Sequence, residues 1–120
     1  MPTASKPRLN VQTVGQRVTA VSFLDRMLVN EDVIREVGEQ LNEVAASPQT
    51  VNLLLDFRDV RFMSSSLLGL MLPLLRTIER RVGKMKLCNV APPLKEVFTV
   101  SKLDRLFALY ENEDEALAAF

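Results

Sequence analysis

The stretch LLLDFRDVRFMSSSLLG, residues 53 to 69, decides the fold of this chain. Residues 51 to 57 are nearly all apolar, which is typical of a central strand that is buried on both faces of a sheet. The leucine-rich run that follows the serines predicts a helix over residues 65 to 82, with Gly83 as its C-terminal stop. A buried strand followed by a helix indicates an α/β protein.

On the N-terminal side, two β-rich runs at residues 9 to 14 and 17 to 24 are separated by Gly15-Gln16 and predict a hairpin. Asn30 is a predicted N-cap, and apolar residues then recur at three- and four-residue steps until Ser47-Pro48 ends the helix. Residues 1 to 7 are predicted to be a frayed tail, and residues 8 to 120 a single domain.

On the C-terminal side, residues 84 to 90 predict a strand, and Pro92-Pro93 predicts the start of a short helix. A last strand at residues 106 to 110 precedes a final helix capped by Asn112. The predicted order is ββαβαβαβα. It corresponds to a mixed, mostly parallel sheet of four to five strands with about four helices.

The composition excludes several classes of function. Lys plus Arg and Asp plus Glu are 15 each, so no strong field exists to attract nucleic acid. The chain has no histidine and one cysteine, Cys88, which excludes histidine-based catalysis and zinc sites; no cofactor or metal is expected. No signal peptide and no membrane-spanning run is found, so we expect a cytoplasmic protein without membrane insertion.

The serines at positions 64 to 66 allow two interpretations on spacing alone. Ser64 stands where a loop turns into a helix, so its hydroxyl is a predicted cap for the amides of the first turn. Alternatively, one of the hydroxyls is phosphorylated, because a helix N-terminus offers outward-pointing amides and a positive dipole end to a phosphate.

The wider pattern resembles the signature of STAS domains of the anti-sigma factor antagonist type. An apolar strand ends in Asp56, Phe62-Met63 precede the serines, and a helix follows; the resemblance covers the domain from the hairpin to the last helix. It implies the STAS fold and a protein-binding module, not an enzyme. In that family the unmodified form binds an anti-sigma factor serine kinase, and phosphorylation by that kinase releases it.

The resemblance also implies roles for individual residues. Ser65 matches the phosphorylated serine, ahead of Ser66 and Ser64; Asp56 matches the strand-end acid, and Asp25 the other acidic position near the site. The chain departs from the family at two positions: Ser64 stands where the family has Asp, and Leu67 where it has Gly.

Helical geometry predicts two apolar faces on the helix after the serines. One face, which would pack on the sheet, carries Leu68, Met71, Leu72, Leu75 and Val82. Leu67, Leu70 and Leu74 are predicted to form an exposed patch that receives a partner, the alternative being a helix buried on both faces. Pro73 is expected to remove one backbone hydrogen bond or to bend the helix.

The predicted partner-binding residues are therefore Asp25, Asp56, Ser64, Ser66, Leu67, Leu70 and Leu74. Two other functions fit the same resemblance. One is a STAS subunit that docks on the ATPase of a phospholipid-type membrane transport complex. The other is a non-phosphorylated subunit of a STAS scaffold, with possible self-association.

Overall fold

Five strands form the main sheet of the computed structural model, which describes residues 6 to 15 and 17 to 120. The elements are β1 (Leu9–Val14), β2 (Val18–Phe23), β3 (Met27–Leu28), α1 (Glu31–Ala46), β4 (Asn52–Asp56), β5 (Phe62–Met63), α2 (Ser65–Arg80), β6 (Met85–Cys88), α3 (Pro92–Val100), β7 (Ala108–Tyr110) and α4 (Glu113–Ala118). Residues 1 to 5 of the predicted tail and Gln16 of the predicted hairpin loop lie outside the described residues.

The sheet order is β1-β2-β4-β6-β7, with β1 antiparallel to β2 and every other pair parallel. The predicted mixed, mostly parallel sheet with an initial hairpin is confirmed. β4 lies at its centre, and the side chains of Leu53, Leu54 and Leu55 are fully buried because both faces of this strand are covered.

The two faces of the sheet are covered unequally. Helices α1, α2 and α3 pack on one face, over a core that includes a row of aromatic rings. Along this row the ring centroids lie 4.9 Å apart for Phe23 and Phe57 and 6.4 Å for Phe57 and Phe98. On the other face, α4 is the one helix among the described residues, and its Ala116 packs in a smaller cluster that contains Leu54 and Cys88.

Helix α1 begins and ends as predicted. The Asn30 side chain accepts hydrogen bonds from the amides of Asp32 and Val33, at 2.8 and 3.2 Å. The helix ends at Ala46, before Ser47-Pro48. Its buried residues are Ile34, Val37, Gly38, Leu41 and Ala45.

Helix α2 ends two residues earlier than predicted, and Gly83 is not the left-handed residue of its C-terminus. Val82 has a φ of 61°, while the amides of Val82 and Gly83 donate to the carbonyls of Glu79 and Ile78 in a Schellman motif. Gly83 is required for another reason: a Cβ there would lie 1.8 Å from the carbonyl oxygen of Val51. Val82 therefore leaves the helix and is 91% exposed, so its predicted place against the sheet is wrong.

Pro73 lies within α2, which is continuous from residue 65 to residue 80. Because proline has no amide hydrogen, the carbonyl of Gly69 receives no bond from it. Both residues are on the exposed side of the helix, where solvent can reach a carbonyl that has no partner within the helix. No helix within the described part of the chain is long and apolar enough to cross a bilayer.

Candidate functional site

A two-stranded parallel ladder holds the serine cluster in place. β3 pairs with β5, so that Met27 lies opposite Phe62 and Leu28 opposite Met63. The Arg61 amide donates to the Arg26 carbonyl at 2.8 Å, and the Ser64 amide donates to the Leu28 carbonyl at 3.0 Å. The segment after β2 and the segment after β4 are thus joined immediately before the serines.

Ser64 occupies the N-cap position of α2 with an extended backbone, φ −92° and ψ 161°. The predicted capping bond is absent, however. The Ser64 Oγ is buried and has no hydrogen-bond partner among the described residues. The first turn of α2 thus begins without a side-chain acceptor and without an acidic residue.

Ser65 and Ser66 are the first two residues of α2, and both side chains are exposed. Their amides belong to the group at a helix start that has no carbonyl partner within the helix. Together with the positive end of a 16-residue helix, this makes the position favourable for an anion.

Asp56, at the end of β4, has an internal structural role. Its carboxylate accepts hydrogen bonds from the Arg58 amide at 2.9 Å, the Arg58 Nη2 at 3.2 Å and the Asn89 Nδ2 at 3.0 Å. The residue is only 7% exposed, so little of it is accessible to a partner. Asn89, which sequence reasoning missed, has a φ of 57°, a backbone conformation that asparagine tolerates better than most residues.

Asp25 is paired within the chain. Its carboxylate oxygens lie 3.0 and 3.3 Å from Nη1 of Arg8, whose Nε donates to Glu36 at 3.0 Å. The hydrogen bond to Glu36 raises the pKa of the Arg8 guanidinium, and Asp25 contributes to the increase. The Arg8 amide also donates to the Gln40 side chain at 2.8 Å, which fixes the start of β1 on α1.

The predicted exposed leucine patch is wrong. Leu67 and Leu74 are 0% and 1% exposed, because α1 packs against α2 and covers the face that they share. Leu70 is half-buried and lies against Gly38, where a Cβ would come within 2.8 Å of the Leu70 Cδ1. Leu68 and Met71 are buried as predicted, while Leu72 and Leu75 are half-buried.

Exposed apolar side chains lie on the ladder, at Met27 and Phe62, and next to β3 in the chain, at Leu24 and Val29. Along β3 and the residue after it, Leu28 points inward and its two neighbours point outward, as alternation along a strand requires. The exposed fractions are 57% for Leu24, 54% for Met27, 43% for Val29 and 58% for Phe62. We call these four residues the ladder patch.

A groove of about 240 Å³ lies between the N-terminal halves of α1 and α2. It has an apolar floor of Ile34 and Leu70 and polar walls that include Glu31 and Ser66. Of the predicted site residues, the structure thus places Ser66 and Leu70 in one groove, and Ser64 beside the ladder.

The match to the STAS domain family model spans residues 28 to 116, and the chain therefore belongs to the STAS domain family. It is of the anti-sigma factor antagonist type. It is 32% identical over 81 residues to an anti-sigma F factor antagonist of Paenibacillus polymyxa, covering 68% of this chain and 69% of that relative. The predicted family is confirmed.

Solved structures agree with this assignment. An anti-sigma-factor antagonist STAS domain protein from Planctomyces limnophilus is 26% identical and superimposes with a TM-score of 0.80, over 92% of this chain and 96% of that one. The phosphorylated form of the Bacillus cell fate determinant SpoIIAA is 21% identical, with a TM-score of 0.69 over 92% of this chain and 97% of that one. At 21% identity, the similarity to SpoIIAA shows a shared fold and nothing more.

Proposed function

We propose that this chain is a cytoplasmic, phospho-regulated binding module and not an enzyme. In its unmodified form it binds and sequesters an anti-sigma factor that is also a serine kinase, and phosphorylation of Ser65 by that kinase releases it. The observation that carries the proposal is the position of Ser65: exposed, first in a helix without a side-chain cap, and two residues after the ladder.

A phosphate on Ser65 adds about two negative charges at the positive end of α2. Because the first-turn amides receive no side-chain acceptor, the phosphate oxygens have donors available without displacing an existing bond. The helix therefore accepts the modification without unfolding, and its effect is local and electrostatic.

The ladder patch is the surface that an unmodified chain offers to its partner. Met27 and Phe62 lie in register and are both more than half exposed, so a partner that covers them removes a continuous apolar surface from water. Aromatic side chains at the centre of an interface often contribute a large share of the binding energy. Ser65 follows this surface closely enough for its charge to affect whatever is docked there.

The groove favours Ser65 over Ser66 as the acceptor. Ser66 shares the groove with Glu31 and Arg35, and Arg35 is already paired with Asp32 at 2.9 Å. The net charge of these three side chains is negative, so it opposes a phosphate on Ser66. Ser65 is exposed and does not line the groove.

The test is to incubate the chain with ATP and each purified serine-kinase anti-sigma factor of the source organism, and to locate phosphate by mass spectrometry. We expect phosphate on Ser65, no labelling of Ser65→Ala, and retained labelling of the matched control Ser66→Ala. Binding of the same anti-sigma factor, measured by calorimetry, should be lost after phosphorylation. Absence of phosphate from residues 64 to 66 with every kinase would exclude the phosphorylation switch.

A further inference from the structure

We infer that the ladder patch docks an acidic partner segment, one that combines apolar side chains with aspartate or glutamate, and that Arg26 and Arg61 pair with those acids. The inference rests on the proposed function in taking the patch as the docking surface. It adds the charge of the partner, and thereby a reason why phosphorylation causes release.

Arg26 and Arg61 stand side by side at one end of the ladder. Each directly precedes a residue of the patch, Met27 or Phe62, and the Arg61 amide bonds to the Arg26 carbonyl at 2.8 Å. Both side chains are exposed, and neither makes an ion pair or a side-chain hydrogen bond within residues 6 to 15 and 17 to 120. Two exposed cations, unpaired among the described residues, thus stand directly before Met27 and Phe62 in the chain.

The acidic residues that are near Arg26 and Arg61 in the chain do not neutralise these two cations. Asp25 is neutralised by Arg8, and Asp56 is buried and paired with Arg58. Of the other acids near these residues in the chain, Glu31 lies in the groove past Val29, Asp32 is paired with Arg35, and Asp59 lies in the turn before the buried Val60, two residues from Arg61. The charged residues directly next to Met27 and Phe62 in the chain are thus both positive, and charge complementarity favours a negative partner.

The sign of the partner determines what a phosphate does. Two negative charges on Ser65 would attract a basic partner and tighten its binding, whereas they repel an acidic one. They also compete with the acidic partner for Arg61, four residues earlier in the chain. An acidic docked segment thus gives an electrostatic reason for release on phosphorylation.

The experiment uses two labelled helical peptides with the same Leu and Phe residues on one face and either Glu or Lys on the other. Each is titrated into the isotope-labelled full chain, and amide shifts are followed by NMR. Vesicles of phosphatidylglycerol serve as a third probe. The variant is Arg26→Glu with Arg61→Glu; the control, Arg76→Glu with Arg105→Glu, makes the same charge change at exposed residues elsewhere.

We expect the Glu peptide to shift amides of residues 24 to 29 and 61 to 65, and to bind about tenfold or more tightly than the Lys peptide. This preference should disappear in the Arg26/Arg61 variant and persist in the control. Equal or tighter binding of the Lys peptide, shifts confined to other surfaces, or no binding of either peptide would overturn the inference. Vesicle binding through the same residues would overturn it in favour of an anionic lipid surface.

The peptides replace the natural partner, so this experiment does not depend on phosphorylation. The acidic docking segment and the phosphorylation switch can therefore be refuted independently. A chain that is phosphorylated on Ser65 but ignores the Glu peptide refutes the acidic docking segment alone. A chain that binds the Glu peptide at the ladder but is phosphorylated by no kinase refutes the phosphorylation switch alone.

Discussion

The Ser64 hydroxyl is buried without a hydrogen-bond partner among the described residues, although it sits at a position where serine usually caps a helix. We expect Ser64→Ala to change the free energy of unfolding by less than about 0.5 kcal/mol, because it removes an unsatisfied polar group and no bond. The matched control is Asn30→Ala, which should cost about 1 kcal/mol because Asn30 caps two amides of α1. Urea unfolding measures both, and equal losses would show that the Ser64 hydroxyl does cap α2 in solution.

The Cys88 thiol predicts a dependence of stability on alkaline pH. Burial, followed by the charge of Asp56, raises its pKa from 9.0 to about 12. Above pH 9 the unfolded chain loses this proton while the folded chain keeps it, so stability falls as pH rises from about 9 to about 12. One such group contributes a slope of at most about 1.4 kcal/mol per pH unit.

Comparison with Cys88→Ala isolates this contribution, because other groups titrate in the same range. The variant should lose stability less steeply with pH than the parent chain does, whatever its stability at neutral pH. Parallel slopes in denaturant unfolding at several pH values between 8 and 11 would contradict a raised thiol pKa.

Individual residue roles were predictable where local chemistry decides them. Asn30 and Asn112 cap their helices as expected, because the capping bond lies within three residues of the cap. The partner of Asp25 was not predictable, since Arg8 is 17 residues away and reaches it only when β1 has joined the sheet. Proximity in space, and not the sequence pattern, pairs Asp25 with Arg8 and leaves its side chain 26% exposed.

The C-terminus of α2 predicts opposite effects for two neighbouring substitutions. Val82→Gly should stabilise the chain by about 0.5–1 kcal/mol, because it relieves a left-handed conformation that is costly for valine and loses no packing at an exposed side chain. Gly83→Ala should cost about 2–3 kcal/mol, because the new Cβ collides with the Val51 carbonyl. Thermal or denaturant unfolding checks both, and a destabilised Val82→Gly would show that φ at this residue is negative in solution.

Secondary structure was predictable where a period repeats over many residues. For the long helices α1 and α2 and for the central strand β4, the predicted ends lie within two residues of the observed ones. β3 and β5 were missed because two residues are too few to show alternation. The exposed face of α2 was wrongly assigned for a different reason: helical periodicity identifies apolar stripes but not which neighbour covers each one.

The unequal covering of the sheet predicts where the chain opens most easily. Helix α4 has six residues and packs over the smaller cluster, whereas β4 is buried between both layers. We expect amides of α4 to exchange with solvent through local opening, and those of β4 only on global unfolding. Hydrogen exchange followed by NMR separates these routes, and equal protection of α4 and β4 would contradict the expectation.

The fold as a whole followed from the sequence because alternating strands and helices leave few topologies once crossovers are right-handed. The family followed from the residues around the serines. What did not follow was the accessible surface, because exposure depends on how separate segments pack against one another. The ladder patch has no continuous motif: Met27 and Phe62 are 35 residues apart and meet only through β3 and β5.

The pairing of β3 with β5 has a consequence for how related chains in one cell bind different partners. Because Met27 faces Phe62 across a backbone pairing, replacing either residue changes the packing of the other. Under the docking that we propose, the two residues together would therefore determine partner preference. We expect lineages that acquire a new partner to exchange both positions together. A chimera that takes residues 24–29 and 61–64 from a paralogue should bind the paralogue's partner. A chimera that takes only one of these segments should bind both partners weakly.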